Sequence, residues 1–105
     1  MRKSRDGDAT FETQGGERSR VLGSLEFATV ARLFPLGTAA IESGHAAVID
    51  LAGVTDSDSS GLALLIEWLS VAKESRRSLR YDNMPAQLRQ LAGLSEVEGL
   101  FREPA

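Results

Sequence analysis

Residues 48–75 read VIDLAGVTDSDSSGLALLIEWLSVAKES, and three kinds of chemistry follow one another inside that stretch. Ala46, Ala47, Val48, Ile49 and Leu51 make a short apolar run. Such a run predicts a strand over 46–51 buried on both faces. The next residues, VTDSDSSG at 54–61, are rich in Asp and Ser and predict a polar turn. A helix is expected from about Ser60 to Ser75. At about 100° per residue, Leu62, Leu65, Ile66, Leu69 and Ala72 fall on one central stripe. Leu64, Trp68 and Val71 widen the apolar arc to roughly 220°, more than a single sheet face covers. The opposite face holds Ser59, Ala63, Glu67, Ser70 and Glu74, with Ser60 beside Glu67. It is small near the helix start. Leu64 and Trp68 flank it, and they are expected either as an apolar docking margin or as packing under neighbouring loops.

The flanking sequence places this unit in a larger pattern. Residues 10–14 (TFETQ) and 18–27 (RSRVLGSLEF) alternate apolar and polar positions around Gly15-Gly16, which predicts a hairpin with a weaker first strand. Val21, Gly23, Leu25 and Phe27 share one face of the second strand. Residues 28–43 predict a helix with Val30, Leu33, Phe34 and Ile41 on its buried stripe; Pro35 and Gly37 imply a kink or two short pieces. Residues 78–82 (SLRYD) predict a further strand. Asn83 is then expected to cap a helix with Pro85 in its first turn, Leu88, Leu91 and Ala92 buried, and Gly93 at its end. Ser95 and Glu98 have capping-box spacing and predict one more short turn. The order is β-β-α-β-α-β-α, an α/β fold with crossover connections expected to be right-handed. Residues 1–9 are polar, lack periodicity and are expected to be a disordered tail before a single domain at 10–105.

Composition narrows the function classes. The chain has 105 residues, a net charge of −3 and no cysteine. The acidic balance opposes nucleic-acid binding, which needs a basic footprint. The absence of cysteine excludes disulfides and thiolate metal sites. No apolar run approaches the roughly 20 residues that span a bilayer. The start, MRKSRDGDAT, has no apolar segment behind its charges. These features predict a cytoplasmic protein that is not itself inserted in a membrane.

Two further constellations bear on chemistry. Asp56, Asp58, Ser60, Gly61 and Glu67 fit the spacing of a calcium loop. A strand-like run precedes them, however, and a continuous helix carries Glu67 away, so no metal is expected. His45 is the only histidine, and the chain contains no G-x-S-x-G, HExxH, P-loop or GxGxxG motif. A non-enzyme without a cofactor is expected. The hydroxyls of Ser57, Ser59 and Ser60 sit at a helix start, which favours a capping oxygen and tolerates an added phosphate.

The stretch at 48–75, with Asp58-Ser59-Ser60-Gly61 after an apolar strand, resembles the central strand, loop and helix of STAS domains. Leu22-Gly23-Ser24-Leu25-Glu26-Phe27 is similar to their early G-x-L-D strand, with Glu26 in place of Asp. The resemblance covers residues 10–101 and implies a small mixed sheet with helices packed mainly on one face. Two branches compete. Gly61-Leu62-Ala63-Leu64-Leu65-Ile66 is closest to the MlaB branch, the cytoplasmic STAS subunits of Mla phospholipid ABC transporters, which bind the ATPase subunit MlaF. That implies a location peripheral to the inner membrane through the partner. It also implies a docking face of Asp58, Ser59, Ser60, Gly61, Ala63, Leu64, Glu67 and Trp68. Ser59-Ser60 stands where that branch commonly has Thr-Gly. Ser-Ser is more typical of the anti-sigma factor antagonists, in which the residue matching Ser59 is phosphorylated by a partner kinase.

Overall fold

The computed structural model describes residues 8–101. Strands β1 (Ala9–Gly15) and β2 (Arg18–Leu25) form the expected hairpin. Helix α1 (Phe27–Glu42) leads to β3 (Val48–Ser57), α2 (Ser59–Glu74), β4 (Arg80–Asp82) and α3 (Ala86–Leu94), and a 3-10 turn follows at Glu98–Phe101. The sheet order is β1-β2-β3-β4. β1 is antiparallel to β2, while β2, β3 and β4 run parallel. The result is a small α/β fold with a mixed sheet and helices against one face, in the predicted element order.

The core lies between sheet and helices. Val21, Leu25, Ile49 and Leu51 come from the strands, Leu33 and Ile41 from α1, Leu62, Leu65 and Trp68 from α2, and Leu88 from α3. β3 is not buried on both faces. Ile49 and Leu51 point into the core, while Val48 and Asp50 are half-buried and Ala52 is exposed. All helices lie on one side, so alternate residues of β3 stay on the open face. There Arg18 bridges Asp82 at 3.0 Å and Asp50 at 3.5 Å, Arg80 meets Asp82 at 3.1 Å, and Arg20 meets Glu12 at 2.8 Å. Hydrogen bonds from Asn83 and the Ala52 N–H, with Arg18 nearby, hold the Asp50 carboxyl below its usual range. Arg80, then Arg18, does the same for Asp82.

Several local expectations need correction. VTDS at 54–57 is not a turn but the end of β3, because Val54, Asp56 and Ser57 pair with Gly23, Ser24 and Leu25 of β2 across a register shift at Thr55. Asn83 does not cap α3. It takes a left-handed conformation (φ 58) and spends its amide on Asp50 at 2.9 Å, and the helix begins only after Pro85. Gly93 lies inside α3, and the chain turns away at Glu96 (φ 60). Ala9 opens β1, and the Asp8 carbonyl accepts from Ser24 N at 2.8 Å. The rest of the expected tail, residues 1–7, lies outside the described residues.

α1 is one helix of 16 residues with Pro35 inside it. Pro35 and Ala31 both face solvent, so the carbonyl that proline leaves without a donor can be hydrated. Gly37 has the opposite duty. It is buried, and a Cβ there would overlap the Trp68 indole.

Candidate docking site

The site grows from one carboxylate. Asp58 follows the last residue of β3 and precedes α2. Its Oδ1 accepts from the N–H groups of Ser60 at 2.9 Å and Gly61 at 3.1 Å, filling two of the donors that a helix start leaves open. Its Oδ2 accepts from the Phe27 N–H at 3.2 Å, the first residue of α1. The Asp58 N–H in turn donates to the Leu25 carbonyl at 3.3 Å. Two helix N-termini therefore converge on one side chain. A negative charge there complements both helix dipoles.

Gly61 makes this convergence possible. A Cβ at position 61 would overlap the carbonyl oxygen of Leu25. The start of α2 can thus lie directly against the end of β2. Ser57 is buried and donates to Gln87 Oε1 at 3.2 Å, tying the end of β3 to α3. Thr29 accepts from the Glu26 N–H at 3.1 Å and donates to the Ser24 carbonyl at 2.9 Å, fixing the turn into α1.

Of the eight residues expected to form the docking face, Ser59, Ala63 and Glu67 are exposed on the outer side of α2, with Ser60 half-buried beside them. Asp58 is half-buried and committed to the three N–H groups. Gly61 is buried against β2 and offers no outward surface. Leu64 and Trp68 are 5% and 0% exposed and cannot form a docking margin. The wide apolar arc of α2 has a simple cause: the helix is covered on two sides, by the sheet below and by α1 beside it. The Trp68 indole N–H donates to the Phe34 carbonyl at 3.2 Å, and its ring meets Phe11 edge-on at 5.7 Å.

Exposed large apolar side chains come instead from α1 and, at the other end of the chain, from Leu94 and Leu100. Phe27 is 79% exposed, Leu36 49% and Phe34 37%. The alternation of the preceding strand puts Phe27 on the face of Val21 and Leu25, and the helical spacing of 28–43 puts Phe34 on the buried stripe. A helix starting at residue 27 reverses the first. The second reflects the narrowness of the buried stripe, which is Thr29, Leu33, Gly37, Ala40 and Ile41. The signal in the sequence was the pairing of Glu26 with Thr29 three residues later, a helix-start spacing.

His45 meets Ser43 at 2.8 Å, but both are exposed and lie between α1 and β3. Among the described residues no group of three or more His, Asp or Glu side chains could hold a metal ion, and in the calcium-like spacing Asp58 is already occupied. No described helix is long and apolar enough to cross a membrane.

A charge-capped helix start presenting an exposed serine, on a four-stranded mixed sheet covered on one side, is the architecture of a STAS-type domain. A family model described as "Mlab, STAS domain" matches residues 12–102. The chain belongs to that family. A search of the curated proteins gave no match. Among solved structures, the Bacillus cell fate determinant SpoIIAA in its phosphorylated form is 19% identical, with a TM-score of 0.66 over 93% of this chain and 91% of that one. The anti-sigma factor antagonist SpoIIAA in its unphosphorylated form is 18% identical, with a TM-score of 0.63 over 83% of each chain. At such identity the likeness is one of fold.

Proposed function

We propose that the protein is the cytoplasmic STAS subunit of an inner-membrane phospholipid ABC transporter. It binds the ATPase subunit (MlaF-like) and supports assembly and activity of the complex in maintaining outer-membrane lipid asymmetry. The match of residues 12–102 to the Mlab family carries the reading. The exposure of Ser59, Ala63 and Glu67 around a rigid helix start supports it, because a docking face needs accessible groups on a fixed frame. Ser59 is the central polar contact, Ala63 allows close approach, and Ser60 and Glu67 form the rim. Asp58 and Gly61 hold the frame. The experiment is purification of the tagged protein from native membranes, with recovered proteins identified by mass. An ATPase and a permease are expected. Recovery of a soluble kinase alone refutes the transporter reading.

A second reading is favoured by Ser59-Ser60 and by the likeness to SpoIIAA, solved in both unphosphorylated and phosphorylated forms. In it the protein is an anti-sigma factor antagonist switched by phosphorylation of Ser59 by an anti-sigma factor kinase. The hydroxyl is exposed on the first residue of α2, where the helix start stabilises a phosphate. Intact mass after incubation with the copurifying kinase and ATP tests it. An adduct of one phosphate that is lost in Ser59→Ala supports the switch, and an unchanged mass refutes it.

A further inference from the structure

We infer that Phe27 is the apolar anchor of the docking face and that the partner surface it enters is cationic. The inference rests on the docking reading above and names the chemistry of what docks. Phe27 is the most exposed aromatic side chain among the described large hydrophobics, at 79%. It is not at a loose end of the chain: it opens α1, and its N–H is held by Asp58, the residue that caps the serine-bearing helix. Phe27 is therefore held by the carboxylate that also caps the helix on which Ser59 is the first residue. Phe34 lies seven residues on, about two helical turns, and so on the same flank of α1. The outward centre of α1 between and beyond them is Ala28, Ala31, Pro35 and Ala39, all exposed and uncharged. Arg32 is the exposed cation on this helix, and its side chain is drawn to the Ala9 carbonyl.

Acidic groups predominate at the two helix starts; the exposed cation on α1, Arg32, donates to the Ala9 carbonyl at 3.0 Å. Neither Val21–Ala31 nor Ala46–Ala72 contains a lysine or arginine. These segments supply Glu26, Asp56, Asp58 and Glu67 at or near the two helix starts. The four ion pairs given by the described residues lie on the open sheet face, and none of them uses Asp56 or Glu67. The basic residues Lys73, Arg76 and Arg77 sit at the far end of α2. An aromatic knob within an acidic rim fits a folded partner that offers an apolar socket among lysines and arginines. A second copy in a two-fold contact would set acid against acid, and an anionic membrane surface would be repelled.

The test uses the full chain in its native cells. p-Benzoylphenylalanine is placed at position 27 and, as a control, at Leu94, which is 82% exposed elsewhere. The crosslinked partner is identified by mass and purified. Its binding is then measured with wild type, Phe27→Ala, and Asp56→Lys combined with Glu67→Lys, each with a melting curve. The inference expects a crosslink at 27 to a lysine- or arginine-rich surface of a single protein, and none to that protein at 94. Phe27→Ala should weaken binding by about 10- to 100-fold with an unchanged melt. The double reversal should slow association about tenfold or more at low salt and flatten its salt dependence. A crosslink to a second copy or to lipid overturns it. So does a Phe27→Ala variant that binds the partner like wild type, or binding that ignores ionic strength. If the captured protein is a kinase rather than a transporter ATPase, the transporter reading fails and the anchor stands. If the ATPase copurifies but residue 27 neither crosslinks nor matters, the anchor fails and the transporter reading stands. Recovery of no complex of any kind overturns both.

Discussion

Replacing Asp58 by Ala removes the acceptor of three N–H groups at once: Ser60 at 2.9 Å, Gly61 at 3.1 Å and Phe27 at 3.2 Å. Loss of a good N-cap costs about 0.5–2 kcal/mol. Loss of the favourable charge at the helix start adds about 0.3–1 kcal/mol. The Phe27 N–H is on an exposed residue that water can reach, so its share is at the low end of the roughly 0.5–1.5 kcal/mol net value of a hydrogen bond. The sum expected for Asp58→Ala is about 2–3 kcal/mol. In a domain of this size that lowers the melting temperature by roughly 10–20 °C. Asp58→Asn keeps the Oδ1 acceptor but replaces the charge and the Oδ2 acceptor, and about half the loss is expected. Urea unfolding measures both, and the midpoint should fall at constant slope. An Asp58→Ala protein within about 0.5 kcal/mol of wild type would refute the claim that one carboxylate organises both helix starts.

Other consequences follow from the same geometry. Gly37→Ala gains helix propensity of about 1 kcal/mol but drives a Cβ into the Trp68 ring; a net loss of about 1–3 kcal/mol and a changed indole emission spectrum are expected. The Asp50 and Asp82 carboxyls titrate lower folded than unfolded, so their contribution is full above the unfolded value of about 4 and is lost as pH falls through the lowered folded value. Stability measured by urea should therefore fall below about pH 4, and less steeply in Asp82→Asn. Tyr81 donates to the Leu65 carbonyl at 2.7 Å, and burial pushes its hydroxyl well above its usual value. Tyr81→Phe should cost about 1 kcal/mol at neutral pH. Ser59→Arg should melt like wild type, because its side chain is exposed, while abolishing recovery of the partner.

The fold was legible wherever periodicity and turn chemistry agreed. The Gly15-Gly16 hairpin, the apolar run at Val48–Leu51 and the stripe through Leu62, Leu65 and Ala72 all appear where the spacing put them. The errors share a cause, which is tertiary pairing. Residues 54–57 look like a turn because they are polar, yet β2 supplies their hydrogen-bonding partners. Asn83 has the side chain of a helix cap, but Asp50 lies within reach and takes it. In the site, Ser59, Ala63 and Glu67 were readable from the wheel because the outer face of a helix is set by its own sequence. The places of Leu64 and Trp68 depend on a second helix. Gly37 in that helix is where the structure shows the indole filling the gap.

That exchange of roles explains why the docking face has its composition. Burying Trp68 against α1 requires α1 to lie close to α2, and Gly37 permits the approach. Close packing of the two helices brings their N-termini to a common point, where two sets of open N–H groups and two positive dipole ends need an acceptor. Asp58 meets that need with both of its oxygens. Because the cap is supplied from the residue before the helix, the hydroxyl of Ser59 is not needed for capping and stays at the surface. The accessibility of that serine is thus a consequence of core packing some three turns away along α2. A substitution that loosens Trp68 should blur the docking face before it unfolds the domain. For Gly37→Ala, backbone amide exchange at Ser60 and Gly61 should rise by more than the global loss of stability accounts for. Exchange that rises only with global unfolding would break the link between core and site.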